Sequence, residues 1–481
     1  MNRRILLIAL ILNFASLDAQ INPDIKPKPS EAKPIKIGEF HSFTADNNMK
    51  VFLIQKRGYP KFRISIDFGV PLIPEEREPE ARKILAEIFS KGNLNYSSVT
   101  IKEITDYYAS SVGGSVNGVS CAGMKSQLEK MLTMMASYIT APKISEEYVR
   151  ESALKNASRV RESEKAPKKA LTRNFMATLE DSLTFYKDIS LQKTEERAEV
   201  YDTITKAAVI SYLNKYINPD NSYCIISGDF TIEEANLLLM NYLNEWENGN
   251  RFQGDYTNLY SYNFPQTRRI YVVDKPEAVQ SKISVKWPLL DAFPYGENEP
   301  LLMVMNQIYG DGYLSNLNKN IRLDKGLSYG AKNFLSNNIT GGSCVSATMV
   351  RNEETAYALE NIFFEMLRMR NELVSDEVLN RAKSGLLGDF SLSMSNINSP
   401  AIIGFGMVKD KYNLPDDYLA TYPDKLQSIT AEDVRKASQK YIKPYECLVF
   451  IEGKVEDIKG TLEKYGIVEY YTSDGQRIYL P

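Results

Sequence analysis

Apolar positions along this chain follow two periods, and the changes between them mark its elements. Lys50-Val51-Phe52-Leu53-Ile54-Gln55 comes after the turn-forming Asp46-Asn47-Asn48, and Arg63-Ile64-Ser65-Ile66-Asp67-Phe68 comes after Gly58-Tyr59-Pro60. Runs of this kind, bounded by turn residues, predict a β-hairpin or two adjacent strands. Helical spacing takes over at 79–90 and returns at 125–140, 145–164 and 355–372, with Ser375-Asp376-Glu377 placed to cap a further helix. A helix-compatible stretch holding Leu314 and Leu317 carries Arg322 at its end; Lys325-Gly326 stops it, and Leu327-Ser328-Tyr329-Gly330 is expected to start a strand.

One pattern recurs. Residues 203–228 (TITKAAVISYLNKYINPDNSYCIISG) and 428–453 (SITAEDVRKASQKYIKPYECLVFIEG) align without a gap at an offset of 225. Identities fall at Ile204/Ile429, Thr205/Thr430, Val209/Val434, Lys215/Lys440, Tyr216/Tyr441, Ile217/Ile442, Pro219/Pro444, Ile226/Ile451 and Gly228/Gly453. Each copy reads as a helix closed by Lys-Tyr-Ile-x-Pro, because proline cannot extend the hydrogen-bond ladder, followed by a buried strand ending at glycine. Such a period implies two copies of one fold. Cys121 and Cys344, and likewise Cys224 and Cys447, are spaced 223 apart, in keeping with that duplication. The expected class is α+β: two homologous halves, each a mostly antiparallel sheet packed with helices, related by pseudo-twofold symmetry. The expected boundaries are a first domain over 39–248, a linker rich in Asn, Tyr, Gly and Pro over 249–266, and a second domain over 267–481.

The N-terminus departs from this pattern. Asn2-Arg3-Arg4 is basic, Ile5 to Phe14 is apolar and uncharged, and small residues allow cleavage after Ala19. That order reads as a signal peptide over 1–19, followed by a Pro- and Lys-rich leader over 20–38. Its apolar core is about half the ~20 residues of a spanning helix. The mature protein is therefore expected to be exported, to the periplasm in a Gram-negative source.

At 43% hydrophobic and 25% charged residues, the 481-residue chain has the composition of a packed protein rather than a disordered one. Its net charge of -3 gives no basic face for nucleic acid. Four cysteines in an exported chain could form disulfides, but a protein this large does not need them, so free buried thiols are expected. Were bridges to form, symmetry would pair Cys121 with Cys224 and Cys344 with Cys447.

The layout resembles the insulinase (pitrilysin-like) zinc peptidases from about residue 40 to the C-terminus. The resemblance rests on the two repeated halves, on Asn306, Gly310 and Gly312, and on the segment with Arg322, Lys325, Gly326, Leu327 and Tyr329. It implies that Arg322 and Tyr329 are a substrate-binding pair. Arginine offers rigid donors for a peptide carbonyl or carboxylate, and a tyrosine hydroxyl can stabilise charge developing on a scissile carbonyl. On spacing alone the two would read as a solvated helix-end charge and a half-buried strand aromatic.

The first half departs from the family pattern. Active members carry His-x-x-Glu-His on a helix before a glycine turn. In the segment ARKILAEIFSKGN these slots hold Lys83, Ala86 and Glu87, with Glu151 or Ser158 as the nearest counterparts of the third ligand. Lysine repels zinc, and alanine cannot take a proton from a metal-bound water. Independently of alignment, the chain holds one histidine, His41, whereas catalytic zinc sites use two or three imidazoles or a thiolate. Glu75, Glu76, Glu78 and Glu80 read as a solvated acidic loop, with weak calcium binding as the alternative. No cofactor is expected in this chain. The resemblance implies a non-catalytic subunit of a heterodimeric metallopeptidase, with zinc in a homologous partner and a peptide as substrate. The alternative is an inactive scaffold or peptide-binding protein of the same fold, and the isolated chain could form a homodimer.

Overall fold

The two repeated segments adopt the same structure. Each helix of the repeat runs over 11 residues (Lys206–Tyr216 and Ala431–Tyr441) and each strand over six (Tyr223–Gly228 and Leu448–Gly453), at the same offset of 225. Thr205 and Thr430 cap them alike, the side-chain oxygens accepting from Ala208 N and Asp433 N. The computed structural model describes residues 39–69, 78–163, 194–250, 265–289, 298–338, 341–395, 414–415, 417–473 and 475–479. Residues 37–481 form one unit and residues 1–36, outside the described residues, another. The expected signal peptide, leader and most of the expected linker thus lie outside the described residues.

The first half contains β1 (Glu39–Thr44), β2 (Lys50–Gln55), β3 (Lys61–Asp67), α1 (Glu78–Ser90), α2 (Ser98–Tyr107), β4 (Ser111–Ser115), β5 (Gly118–Met124), α3 (Leu128–Thr140), α4 (Glu146–Ser163), α5 (Thr194–Thr203), α6 (Lys206–Tyr216), β6 (Tyr223–Gly228) and α7 (Ile232–Leu243). The second contains β7 (Arg269–Asp274), β8 (Gln280–Leu289), α8 (Glu299–Asn306), β9 (Ala331–Asn338), β10 (Gly341–Arg351), α9 (Thr355–Asn371), α10 (Asp376–Ser395), α11 (Tyr418–Ser428), α12 (Ala431–Tyr441), β11 (Leu448–Gly453), β12 (Ile467–Tyr471) and β13 (Arg477–Ile478). The sheets run β1-β2-β6-β3-β5-β4 and β13-β12-β7-β11-β8-β10-β9.

Without their edges, these orders are one topology written twice. β6 pairs parallel with β2 and antiparallel with β3, as β11 does with β7 and β8. The register repeats residue by residue: Ile226 faces Ile64 and Ile451 faces Ile283. The expected α+β fold of two homologous, mostly antiparallel halves is the one observed. In each half a helical layer covers one face. Ile84, Leu85, Ile88 and Phe89 of α1 pack with Val51, Leu53, Ile64 and Ile226, while Trp287, Met305, Ile362 and Val434 pack with Ile270, Ile283 and Ile451.

Two expectations are corrected. β2 and β3 are neither a hairpin nor neighbours, because β6 lies between them. The turn around Asn48, at φ +66°, instead joins β1 to β2. β6 is buried at every position, and only a central place in the sheet buries both faces of such a strand. The cysteine spacing is not part of the duplication either. Cys121 sits opposite Ile64, but the residue opposite the equivalent Ile283 is Thr348, not Cys344. All four cysteines are free and buried. A strand separates the members of each symmetry-suggested pair, β3 in one case and β8 in the other. Two strand spacings are about 10 Å, beyond the reach of a disulfide. No described helix is long and apolar enough to cross a membrane.

Candidate functional site

Between α8 and β9 the chain twice leaves the α-helical ladder. Gln307–Asp311 and Lys319–Asp324 are both π-helical, a form seen mostly as single turns and frequently at functional sites. The second turn carries Arg322 and stops at Gly326, whose φ of +62° suits a residue without a Cβ. Leu327 N donates back to Ile321 O at 2.9 Å, and the Leu327 side chain packs on the core. Ser328 Oγ donates to Gly330 O at 2.9 Å and accepts from Gly330 N at 3.2 Å. Asn318 Oδ1 accepts from Ala331 N at 3.1 Å, and Thr348 Oγ1 donates to Gly330 O at 3.0 Å. Residues 326–330 are therefore a tethered loop rather than the start of a strand, and β9 begins one residue later.

The loop places Tyr329 in solvent, 94% exposed. Arg322 is half-buried, its guanidinium 5.2 Å from the centre of the Tyr313 ring. Stacking of this kind orients a guanidinium and leaves its edge donors available. Beneath the segment lies a buried polar chain: Asn333 Nδ2 donates to Asn306 Oδ1 (2.8 Å), Ser346 Oγ donates to Asn333 Oδ1 (3.0 Å), and Tyr309 OH and Ser346 Oγ are 2.9 Å apart. Burial raises the Tyr309 phenol, so this hydroxyl stays protonated as part of the frame. Gly310 completes the frame, since a Cβ there would stand 2.4 Å from Asn333 Cβ.

The residues that the resemblance places in metal slots of the first half do not fit a zinc ion. Lys83 is exposed, its ammonium 5.9 Å from the centre of the Tyr201 ring. Ala86 packs against the core. Glu87 already has partners on α4: Ser152 Oγ donates to Oε2 (2.6 Å), Arg159 NH1 donates to Oε1 (2.7 Å), and Lys155 Nζ lies 3.8 Å from Oε2. Glu151 pairs with Lys91 at 3.0 Å, and Ser158 is exposed. Two cations thus face the Glu87 carboxylate. Ser152, Lys155 and Arg159 follow helical spacing, a signal the sequence carried but that gains meaning only because α4 packs against α1. Among the described residues, no group of three or more His, Cys, Asp or Glu is placed to hold a metal.

The remaining candidates have other tasks. His41 lies within β1 opposite Leu53 and is half-buried. Glu75 and Glu76 lie outside the described residues. Glu78 is not free for calcium, since it accepts from Lys215 Nζ (2.8 Å) and Tyr216 OH (2.7 Å), tying the start of α1 to the end of α6.

Comparison with known proteins agrees with the fold. Residues 203–386 match the family described as the peptidase M16 inactive domain. No match is found among curated protein sequences. The peptidase M16 inactive domain from Pseudomonas fluorescens superposes with a TM-score of 0.71 at 16% identity, over 86% of this chain and 98% of that one. The periplasmic protease PqqL from Escherichia coli gives 0.66 at 14% identity, over 94% of this chain and 51% of that one. The ferredoxin protease FusC, in complex with Arabidopsis ferredoxin, gives 0.64 at 14%, over 89% of this chain and 47% of that one. This chain therefore spans about half the length of the last two.

Proposed function

We propose that this chain, whose residues 203–386 belong to the peptidase M16 inactive-domain family and whose fold is that of the insulinase-type peptidases, is the non-catalytic, substrate-binding subunit of a heterodimeric exported zinc metallopeptidase. The observation that carries the reading is the contrast between the halves. In the first, Arg159 and Lys155 of α4 occupy the carboxylate that stands in a metal slot. In the second, Tyr329 and Arg322 are held on a tethered loop and a π-turn with the phenol in solvent. A structural relic would have no need of a fully presented hydroxyl.

Chains twice as long, such as PqqL, share this fold over half their length, which supports a second, zinc-bearing chain as the missing half. In such a pair Tyr329 donates a hydrogen bond to the carbonyl oxygen of a bound peptide, strongest as negative charge develops there. Arg322 holds a neighbouring carbonyl or carboxylate through its fixed fork. The partner supplies the metal and the water. The N-terminal basic and apolar run supports export.

The test is reconstitution with a homologous subunit carrying an intact His-x-x-Glu-His helix. The chain alone leaves peptides uncut, and the pair cleaves them. In the pair Tyr329→Phe lowers turnover by roughly a hundredfold, the scale of losing one oxyanion donor, while Arg322→Ala mainly raises KM. Full activity of both variants in an intact complex would overturn the reading in favour of an inactive scaffold.

A further inference from the structure

Three cations fall within one short stretch of the second half, Lys319, Arg322 and Lys325, and among the described residues none of them has a carboxylate partner. The cations around them do. Arg368 pairs with Glu365 at 2.9 Å, Arg381 with Glu377 at 3.8 Å and Lys332 with Asp311 at 3.5 Å. Lys319 and Lys325 are exposed, and both line a cleft of about 580 Å³ between the π-turn Lys319–Asp324, α9 and the start of α10. With Arg368 and Arg381 matched, that cleft is left with two ammoniums against Asp324. The π-turn is fixed as its wall, since Asn320 Nδ2 donates to Oε1 of the buried Glu365 on α9 at 2.6 Å.

Apolar surface is exposed in the same place. Leu314 and Phe364 line the cleft at 44% and 53% exposure. Tyr357 on α9 meets Lys325, whose Nζ donates to its hydroxyl at 3.1 Å. Tyr313, next to Leu314 in the chain, lies 5.2 Å from the Arg322 guanidinium. The surface therefore runs without a break from Arg322, across Tyr313 and Leu314, to Lys319 and Phe364 in the cleft. A merely solvated charged face alternates its signs, whereas large apolar side chains left exposed together mark a contact surface. Unmatched cations among them call for an occupant that is both anionic and apolar. A continuous phosphate backbone would meet Asp324 and Glu377 here, but a peptide can set carboxylates only where the ammoniums stand.

We propose that this surface receives an acidic, apolar segment of a peptide, its side-chain carboxylates paired by Lys319 and Lys325 and its apolar side chains set on Leu314 and Phe364. That the peptide is the substrate rests on the accessory-subunit reading, in which Arg322 holds the same peptide beside the carbonyl to be cut. The docking itself needs neither partner nor zinc.

The experiment is calorimetric titration of the intact chain with three capped peptides. These are acetyl-Glu-Glu-Phe-Leu-Glu-Glu-amide, its analogue with glutamine for every glutamate, and its analogue with serine for phenylalanine and leucine. The first binds saturably at one site per chain. Each analogue binds about tenfold more weakly, the scale of two exposed ion pairs or of two partly buried apolar side chains. Lys319→Ala combined with Lys325→Ala, both at exposed positions, removes the preference for the acidic peptide and leaves the glutamine analogue unchanged, which separates binding from folding. No saturable heat up to about 10 mM peptide, equal affinity for either analogue, or unchanged affinity in the double variant would each overturn the proposal. A dimer of the chain lost in that variant, with peptide affinity unchanged, would assign the surface to a second copy instead. Should the reconstituted pair cut neutral peptides while calorimetry shows no preference for the acidic one, the proposal falls and the accessory-subunit reading stands. Should calorimetry show the preference while the pair cuts nothing, that reading falls and the docking stands.

Discussion

Glu87, which the resemblance places in the slot of a second imidazole, has a set of partners of its own. Ser152, Lys155 and Arg159 bring a hydroxyl and two cations to one carboxylate, so α4 and α1 are joined by charge rather than by an ion. Arg159 is more than half exposed, and an ion pair of this kind contributes at most about 1 kcal/mol. Its larger effect is on what the slot can accept. The triple change Lys83→His, Ala86→Glu and Glu87→His should bind zinc only weakly, because Lys155 and Arg159 repel a dication there. Adding Lys155→Ala and Arg159→Ala should tighten zinc binding severalfold in a competition titration with a chromogenic chelator. Equal affinity with and without the two cations would show that they do not guard the slot. Tyr329 teaches a different lesson. Its type and spacing were readable, but its exposure follows from Gly326 and the Ser328–Gly330 hydrogen bonds rather than from its own character.

Among the elements, the paired helices α6 and α12 rest on threonine caps, and α12 has a full capping box in which Asp433 accepts from Thr430 N and Oγ1 at 2.9 and 2.6 Å. These bonds hold the Asp433 carboxyl below its ordinary range, the Thr430 side-chain bond being the largest cause. A carboxylate whose folded value is depressed adds stability above its unfolded value, and that stability is lost as pH falls through the folded one. Thr430→Ala should therefore cost about 1 kcal/mol at neutral pH in urea unfolding, and the difference from wild type should narrow in acid. A difference independent of pH would assign the loss to the bond from Asp433 N to the Thr430 oxygen rather than to the Asp433 carboxylate. The π-turn frame is less forgiving. At Gly310 an added Cβ would meet Asn333 Cβ at 2.4 Å and Asn333 N at 2.7 Å, so Gly310→Ala must displace β9 or break the Asn306–Asn333–Ser346 chain. Overpacking of this order costs about 1–3 kcal/mol, read as a lower urea midpoint. An unchanged midpoint would mean that the strand moves freely.

Across the whole molecule, stability comes from two sheet-and-helix cores without covalent links. The four thiols are buried, and desolvation raises all of them, Cys344 and Cys447 to about 12. Only the thiolate reacts readily. None of the four should titrate with a disulfide reagent in the native protein, all four should react in denaturant, and a reducing agent should leave Tm unchanged. A fall in Tm on reduction would show bridges and contradict the strand order that separates each pair. Both halves share one sheet topology, but the helix after β3 packs on the core, while the loop before β9 presents Tyr329 to solvent.

Much of this was determined by the sequence alone. The 225-residue repeat, the strand 50–55, and the helices around 79–90, 125–140, 145–164 and 355–372 follow from local periodicity, caps and stop residues, which act over a few neighbours and so are written in consecutive positions. The missing imidazoles were legible for the same reason. Tertiary structure alone decided that β6 lies between β2 and β3, that the equal cysteine spacing is coincidental, and that α4 delivers Arg159 to Glu87. It alone joined Asn320 to Glu365 across 45 positions of chain. Each of these depends on which elements become neighbours, and that is settled by burying apolar faces across the whole sheet rather than by any short run of residues.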